Sequence, residues 1–301
     1  MLDAKVLVLL STYNGEKYLS DLLNSILLQK NVHVDILIRD DGSIDDTINI
    51  LNSFKSYDNI QVIYGNNIGS KNSFYKLLEI CDTSYDYYAF ADQDDIWLED
   101  KIYKAIKLLK KNNISPALYL GNYTLVNKHL DFIRISKENR VYPFEKIILK
   151  NHILGCTMVF NKQLLKVIKN HQYININNLP FHDHWIYILC SAINGNIVLD
   201  SQSYILYRQH ENNVVGSIKF KDRIKSSALF KNKKVRYLYI NELYKNYRDF
   251  IDNDKILLLK ECINYTMSYK NKFKFAFFNS LQTNNILERI ILIITILLGR
   301  F

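Results

Sequence analysis

Residues 87–97 read YYAFADQDDIW and place three carboxylates at the end of an apolar, aromatic segment. The first four residues of this stretch predict a buried strand, and residues 98–111 carry a helical pattern. Asp92, Asp94 and Asp95 therefore lie where a strand ends and a helix begins. In open α/β sheets, ligands bind at the carboxyl ends of the strands. The stretch thus predicts a ligand site in an α/β fold.

Asp92 and Asp94 are one residue apart and can point the same way to share one cation. A magnesium-like ion suits such a pair, because it binds one or two carboxylates, keeps some waters and completes its shell with phosphate oxygens. The alternative is that Asp94 or Asp95 only stabilises a helix N-terminus. For an isolated pair this alternative would be favoured, so the rest of the chain must decide.

The chain before this stretch alternates strand and helix patterns. Strands are predicted at residues 6–10, 34–38 and 60–64, with helices over 16–28, from 45–47 and from about 71. This alternation predicts βαβ units and a parallel sheet. The later pattern is looser, with strands predicted at 118–126, 132–135, 155–160 and near 197 and 204. Helices are predicted from 142–144, over 164–170 and over 182–194.

Polar or acidic turns follow three of the first four strands, and in a parallel sheet these turns share one edge. Tyr13, in the turn Thr12-Tyr13-Asn14, could stack on a base, and Asp41 could accept hydrogen bonds from a ribose hydroxyl or a base N–H. A cation on Asp92 and Asp94 could hold a diphosphate. The pattern indicates a nucleoside diphosphate across this edge. The sequence contains neither GxGxxG after the first strand nor GxxxxGK[ST], which argues against dinucleotide-binding dehydrogenases and P-loop NTPases.

Six motifs stand in the order and spacing of a known family. They are STYNG at 11–15, DDGSIDDT at 40–47, NNIG at 66–69, DQDD at 92–95, FHDHW at 181–185 and YRQHENNVVG at 207–216. Together they resemble the family-2 inverting glycosyltransferases of the GT-A fold, and the last two are similar to its bacterial rhamnosyltransferase-like branch. The resemblance covers about residues 4–216. It implies a Rossmann-like, mostly parallel central sheet flanked by helices, with a C-terminal helical extension.

The resemblance also implies roles for particular residues. Asp41 would contact the nucleoside, Asp92 and Asp94 would bind Mg2+ or Mn2+ and the diphosphate, and Asp183 would be the catalytic base. The donor-binding candidates are Thr12, Tyr13, Asn14, Asp41, Asn67, Asp92 and Gln93. His210 is a further metal or diphosphate candidate. The candidates for the acceptor or the diphosphate are Gly155, Cys156, His182, His184, Trp185 and Arg208.

Asp183 and its neighbours also have a purely structural interpretation. Asp183 follows Pro180 at a predicted helix start, so it could be a capping acid with Trp185 packed in the core. Direct displacement at a sugar carbon requires a carboxylate that takes the proton from the attacking hydroxyl. With the resemblance, the catalytic interpretation is preferred. Arg208 could offer two parallel donors to a phosphate, and Gly155 could permit close approach of a ligand to the backbone.

Composition limits the class of protein. A hydrophobic fraction of 48% over 301 residues is ample for a core, and four scattered cysteines without a CxxC pair argue against a zinc site or a disulfide framework. A reducing cytoplasm is the simplest compartment. The apolar run at 6–10 is too short for a signal peptide and is interpreted as the first strand.

The net charge of +9 is unevenly distributed. Residues 217–301 carry 17 Lys and Arg against 7 Asp and Glu, whereas residues 1–216 carry 22 against 23. We therefore expect a GT-A domain at 1–216 and a basic helical region at 217–301 that faces an anionic surface. Residues 290–298 are almost wholly apolar but too few to span a bilayer. The alternatives are a helical subdomain with solvated charges, or nucleic-acid binding, which no motif supports.

The sequence as a whole predicts an inverting transferase that moves a sugar from a nucleotide diphosphate donor to a hydroxyl. By resemblance the donor is dTDP-rhamnose, with a UDP-hexose or UDP-N-acetylhexosamine as the alternative. The expected acceptor is a cell-surface glycan or a lipid-linked glycan, made in the bacterial cytoplasm on the inner face of the plasma membrane. From another class, the chain could be a catalytically inactive glycan- or nucleotide-binding module.

Overall fold

A computed structural model describes residues 4–110, 115–151, 153–170, 174–210, 235–278, 281 and 286–301. Contacts divide the chain into two compact units. The first comprises residues 1–141, 153–170 and 195–210, and the second comprises 142–152, 171–194 and 211–301. Two segments before residue 216 thus group with the C-terminal helices. The predicted boundary at 216 lies outside the described residues and stays a prediction.

Nine strands occur among the described residues, and all belong to the first unit. They are β1 Lys5–Thr12, β2 His33–Asp40, β3 Ile60–Tyr64, β4 Tyr87–Asp92, β5 Ile96–Trp97, β6 Ala117–Val126, β7 Phe132–Ile135, β8 Val159–Asn161 and β9 Asn196–Arg208. The helices are α1 Leu19–Leu27, α2 Thr47–Ser53, α3 Ser70–Ile80, α4 Lys101–Leu109, α5 Phe144–Ile147, α6 Lys162–Lys169, α7 His182–Ala192, α8 Val235–Tyr247, α9 Asn253–Asn264, α10 Tyr269–Phe278 and α11 Ile286–Leu297.

The strands form one sheet in the order β3-β2-β1-β4-β8-β6-β9-β5, and β7 pairs with β6. Strands β3, β2, β1 and β4 are mutually parallel, and β6 pairs in parallel with β9. The pairs formed by β4 with β8, by β8 with β6, by β6 with β7 and by β9 with β5 are antiparallel. The predicted α/β class with a mostly parallel GT-A sheet and a C-terminal helical region is confirmed.

Burial explains why the first four strands form the parallel side of this sheet. Residues 6–10 of β1 are all buried, as expected for a parallel strand covered on both faces. The apolar residues of α1 recur at helical spacing, and the four that pack into the core are Leu19, Leu22, Leu23 and Ile26. The predicted alternation of strands and helices therefore follows from the positions at which apolar side chains are buried.

Three local predictions were wrong. The helix predicted from residue 98 begins only at Lys101, because Ile96 and Trp97 first pair with β9 as strand β5. The strand predicted over 155–160 is a 3-10 turn at Gly155–Thr157 followed by β8. The two strands predicted near 197 and 204 are one strand, β9, whose pairing with β6 shifts register near residues 121–124. These element boundaries depend on contacts between residues far apart in the chain, and a local sequence pattern does not show such contacts.

The second unit is helical in its described residues. Helix α7 is buried over nearly its whole length, and α8 contributes Tyr239, Ile240, Leu243 and Tyr247 to the interior. The terminal Phe301 is fully buried against the rings of Tyr265 and Phe275. None of the helices in the described ranges is both long enough and apolar enough to cross a membrane. Residues 217–234 of the predicted basic helical region lie outside the described residues.

Candidate active site

Strand register brings the three polar turns of the first unit to one edge of the sheet. Thr12 at the end of β1 pairs with Asp40 at the end of β2, and Ser11 pairs with Asp92 at the end of β4. The segments that follow, at residues 12–15, 41–47 and 92–95, therefore leave the sheet side by side. Parallel strands force this arrangement, because their carboxyl ends all point the same way.

Gln93 joins the first of these turns to the third. Its Oε1 accepts hydrogen bonds from Thr12 Oγ1 at 2.7 Å and from the Tyr13 backbone N–H at 2.8 Å, and its Nε2 donates to the Tyr13 carbonyl at 3.1 Å. Gly15 leaves room for this clasp, because a Cβ there would lie 2.7 Å from Gln93 Oε1. We call these three hydrogen bonds the Gln93 clasp. Its geometry assigns the Gln93 amide to positioning the turn.

Asn14 joins the first turn to the second. Its backbone N–H donates to Ser43 Oγ at 2.9 Å, and its side-chain Oδ1 accepts from the Ile44 N–H at 3.0 Å. Asn14 adopts a left-handed φ of 48°, which asparagine tolerates better than most residues. Tyr13 beside it is 43% exposed, so its ring is accessible for stacking on a base.

Asp41 is buried and fixed by the loop after β3. Its Oδ1 accepts from Arg39 Nη1 and from the Ile68 N–H, and its Oδ2 accepts from the Gly69 N–H at 2.9 Å. Arg39, which the sequence analysis did not single out, is itself held by the Asn66 carbonyl at 2.9 Å. A carboxylate offers about four acceptor positions. These three contacts leave one acceptor position on Oδ2, on a side chain that is 2% exposed.

Asn67 lies in the same loop and is exposed. Its Oδ1 accepts from the Gly69 N–H at 3.2 Å, so its Nδ2 group points away from Gly69. Gly42 faces this loop with a φ of 81°, and a Cβ there would lie 3.0 Å from the backbone nitrogen of Asn67. Close backbone approach therefore explains the glycine in DDGS.

Asp94 and His210 form the contact most relevant to a cation. His210 Nε2 lies 2.8 Å from Asp94 Oδ2, and both side chains are about five-sixths buried, at 16% and 15% exposure. The ring of Tyr18 lies 5.1 Å from the His210 ring. Asp92, on β4, is partly exposed. The structure thus brings together two of the three metal candidates that the sequence analysis named.

Arg208 contacts the backbone of Asp94 and holds it in place. Its Nε donates to the Asp94 carbonyl at 3.0 Å, its Nη1 to the Lys128 carbonyl at 3.1 Å, and its Nη2 to Asp21 Oδ2 at 3.0 Å. The guanidinium also lies 4.4 Å from the centre of the Tyr18 ring. Arg208 is 4% exposed, and at least one donor of each of its nitrogens is used by the protein. These contacts indicate a positioning role for the residue that the sequence suggested as a phosphate ligand.

A buried polar group lies behind Asp92 and Asp94. Asp95 is fully buried, and its Oδ2 has no hydrogen-bond partner among the described residues. Burial, together with the charges of Asp94 and Asp92, raises the pKa of Asp95 well above its usual range. Lys101 places its Nζ 3.6 Å from the centre of the Trp97 ring, and burial lowers the pKa of Lys101 to about 7.

Sequence reasoning missed the inward position of Lys101. The signal was present, because Lys101 lies four residues before the buried Ala105 on the apolar face of a predicted helix. Cys156 belongs to the same buried group. Burial and the charge of Asp95 raise the pKa of the Cys156 thiol. Gly155 is also buried, in the adjoining 3-10 turn.

Two ligand sets for a cation can be compared. Asp92, Asp95 and Cys156 have candidate ligand atoms within 4.8 Å of one another. This set suits Mg2+ or Mn2+ poorly, because hard cations prefer oxygen and the raised pKa values of Asp95 and Cys156 favour their protonated forms. Asp92, Asp94 and His210 offer carboxylate oxygens and one imidazole nitrogen. The ligand types of the second set suit the predicted ion, and its Asp94 and His210 side chains are in contact. Among the described residues, however, the group whose ligand atoms lie within 4.8 Å of one another is the first set.

Asp183 lies in the second unit, in the first turn of α7. Its Oδ2 accepts from Asn151 Nδ2 at 2.8 Å, and its Oδ1 accepts from the His184 N–H at 2.7 Å. Asp183 is 9% exposed. The side chain is therefore oriented at the start of α7, and Asn151 is an orienting partner that the sequence analysis did not name.

The three neighbours of Asp183 are buried in the second unit. His184 Nε2 lies 2.7 Å from the Ile147 carbonyl, and Trp185 packs with its ring 6.0 Å from that of Tyr247. Burial lowers the pKa of His182 to about 3, so this imidazole is neutral in the folded protein. These positions indicate a packing role for Trp185, while contact of any of the three with an acceptor stays a prediction.

Comparison with known proteins identifies the family of the chain. The sequence profile described as "Glycosyl transferase family 2" matches residues 7–168. The chain is 37% identical over 238 residues to "dTDP-rhamnosyl transferase RfbG" of Shigella flexneri, covering 74% of this chain and 80% of that protein. It is 28% identical over 199 residues to "UDP-Glc:alpha-D-GlcNAc-diphosphoundecaprenol beta-1,3-glucosyltransferase WfgD" of Escherichia coli, covering 64% of this chain and 72% of that protein.

A solved structure shows the same fold. TarS 1–349 of S. aureus in complex with UDP superimposes with a TM-score of 0.59 at 18% identity, covering 92% of this chain and 76% of that one. The profile match spans more than half of the chain and includes the three turns at the sheet edge. The motif order, the sheet topology and these matches show that the chain belongs to glycosyl transferase family 2.

Proposed function

We propose that this glycosyltransferase moves L-rhamnose from dTDP-rhamnose to a hydroxyl of a cell-surface glycan or lipid-linked glycan, with inversion and with Mg2+ or Mn2+. The observation that carries the proposal is the pairing of Asp94 with His210, beside Asp92, at the edge where Tyr13 and Asp41 also lie. These residues would supply an aromatic ring for the base, a buried acceptor for the nucleoside and ligands for a cation. All three suit a nucleoside diphosphate.

The choice of donor rests on a relative. RfbG, by its name a dTDP-rhamnosyl transferase, shares 37% identity over most of both chains. A UDP-hexose donor is the second candidate, because WfgD is named as a UDP-Glc transferase and TarS was solved with UDP and with UDP-GlcNAc. The sources of these relatives support a bacterial setting. The location in the cytoplasm, at the inner face of the plasma membrane, is part of the proposal.

The residues at the sheet edge would bind and orient the donor. Asp41 would accept one hydrogen bond through the free position on Oδ2, and Tyr13 would stack on the base. Asp92, Asp94 and His210 would hold a divalent cation, which neutralises charge on the leaving diphosphate when bound. Arg208 and the Gln93 clasp would keep these groups in place, because both use their hydrogen bonds on the backbone of the same loops.

Asp183 would take the proton from the acceptor hydroxyl as the general base. Its support is the hydrogen bond from Asn151, which orients the carboxylate in the first turn of α7. A positioned general base contributes about 10²–10⁴-fold to a rate. Asp183→Asn should therefore lose most transfer while donor binding stays close to that of the wild type.

The test of the donor is a panel of nucleotide sugars measured for protection against thermal unfolding, with and without Mn2+. dTDP-rhamnose should raise Tm most, and only with the metal. Asp94→Asn should lose the metal-dependent part, whereas Asp58→Asn, an exposed acid before β3, should keep it. Equal metal dependence in Asp94→Asn would place the cation elsewhere, and preference for a UDP-sugar would select the second donor.

The test of the base compares two acids in the first turns of two helices of the second unit. Asp183→Asn in α7 should lose turnover, and Asp254→Asn in α9 should not. Donor Kd and the anomeric configuration of the product are measured on the same samples. Wild-type turnover in Asp183→Asn would make this residue a helix-end acid only. Donor binding without transfer to any acceptor would favour an inactive binding module.

A further inference from the structure

Helix α11 of the second unit presents its apolar face to solvent. The exposed residues are aliphatic without exception: Ile286, Leu287, Ile290, Ile294 and Leu297 in the helix, and Leu298 in the turn after it. Ile286 is 80% exposed. At 100° per residue these positions fall within one face of the helix. The face is roughly 18 Å long, from 1.5 Å per residue.

Two of the three polar residues of α11 are turned toward the protein, and the third, Glu288, is 34% exposed and lies 3.7 Å from Lys150 Nζ. Thr295 is 1% exposed and donates from its Oγ1 to the Ile291 carbonyl at 2.6 Å. Arg289 is half-buried and donates to the Leu281 and Phe277 carbonyls at 3.3 and 3.4 Å. A helix on the surface of a protein in water normally has the reverse polarity. The inverted arrangement indicates that this face meets something other than water.

Helix α10, which packs against α11, adds aromatic and basic residues. Tyr269, Phe273 and Phe277 recur every four residues, are 90%, 56% and 44% exposed, and so form one stripe. The Phe273 and Phe277 rings lie 4.7 Å apart. Lys270 and Lys274 follow the first two of these rings by one position and are exposed. Aromatic rings with adjacent lysines are typical of helices that lie in a membrane interface.

We propose that the exposed faces of α10 and α11 form a docking surface for an anionic lipid bilayer, into whose headgroup boundary the aliphatic and aromatic side chains insert. The inference deepens and rests on the proposed function, whose acceptor is lipid-linked. Charge selects the bilayer over a second copy of the chain. Residues 269–301 contain five Lys and Arg against one Glu, so self-association would bring like charges together, whereas an anionic surface complements them.

The test is flotation of the full chain with two kinds of vesicle. One kind is phosphatidylcholine alone, and in the other about one lipid in three is phosphatidylglycerol. The wild type should float only with the anionic vesicles and should be released by high salt. Ile290→Glu/Ile294→Glu should lower the partition coefficient at least tenfold. Lys270→Ala/Lys274→Ala should lower it roughly twenty-five-fold at low salt, from about fivefold per lysine.

Leu257→Glu is the matched control, because Leu257 is a 60% exposed leucine on α9 outside this surface, and it should float like the wild type. The comparison of the two vesicle types needs no variant, so it stands even if a substitution impairs folding. Three results would overturn the proposal: no flotation of the wild type, equal flotation with neutral vesicles, or a dimer that Ile290→Glu/Ile294→Glu dissociates.

Donor protection by nucleotide sugars is measured on the same preparations. If nucleotide sugars do not protect the wild type against thermal unfolding, this counts against the proposed transferase activity. It does not change the flotation result. Conversely, donor protection without flotation would overturn only the docking surface. The failures of the two proposals are therefore distinguishable.

Discussion

Removal of the Gln93 clasp should loosen the turn that carries Tyr13 without touching a carboxylate of the site. Gln93→Ala deletes three hydrogen bonds, to Thr12 Oγ1 at 2.7 Å and to the Tyr13 N–H and carbonyl at 2.8 and 3.1 Å. A hydrogen bond contributes about 0.5–1.5 kcal/mol net. The clasp is partly exposed, so water can replace some of it. We expect a loss of about 1–3 kcal/mol in the free energy of unfolding.

Donor binding should weaken as well, because a mobile Tyr13 stacks less well. Stacking of a base on an aromatic side chain is worth about 1–3 kcal/mol, which bounds the loss in donor Kd at roughly 5- to 150-fold. Gln93→Glu should be at least as harmful as Gln93→Ala. It keeps an acceptor for Thr12 and Tyr13 but puts a second oxygen against the Tyr13 carbonyl.

The assay combines urea unfolding with donor Kd by calorimetry and with steady-state kinetics. Gln61→Ala, at an exposed position of β3, serves as the control for loss of a glutamine side chain. The donor KM should rise in the two Gln93 variants while kcat changes less. Lower stability with an unchanged donor Kd would refute the reasoning and make the clasp purely structural.

Three further predictions concern stability and reactivity. Because the pKa of His182 is about 3 in the folded protein, only the unfolded chain takes up a proton at this residue as the pH falls from 6.5 toward 3. By pH 5 the wild type should therefore lose about 2 kcal/mol more of its free energy of unfolding than His182→Gln, measured by urea unfolding. An equal dependence of stability on pH in the two proteins would contradict this. Asn161→Ala removes a side chain that accepts from the Leu164 N–H at 3.0 Å at the start of α6 and from the Ala117 N–H at 2.9 Å, and should lower stability by about 2–4 kcal/mol. The four free cysteines are buried, so a thiol reagent should label the native protein slowly and the unfolded protein completely, and rapid native labelling would disprove their burial.

The part of the fold that local patterns encode was predictable. Strand β3 occurs at residues 60–64 as predicted, and the edge shared by Thr12, Asp41 and Asp92 follows from parallel pairing alone. The partners of Asp41 were not predictable, because the Ile68 and Gly69 N–H groups reach it only after β3 and its loop are in place. The same holds for Asn151 and Asp183.

Polar residues inside the protein were the harder class. Arg208 looked available for a phosphate because a short motif shows its charge but not its neighbours. In the structure, two backbone carbonyls, the carboxylate of Asp21 and the ring of Tyr18 occupy it. The inward position of Lys101 was missed as well. Burial is set by which elements pack together, so such residues need tertiary information.

The late return of strand β9 to the sheet has a consequence for how the protein folds. His210 contacts Asp94 across 116 positions of the chain, and β9 pairs with β6 through residues such as Asn196 with Ala117. Closing such long loops costs entropy before any contact repays it, so these pairings form slowly. During synthesis the N-terminal strands can assemble while Asp94 still lacks its contacts with His210 and Arg208. The nascent chain therefore completes the proposed cation site only after residue 210 has emerged and β9 has docked.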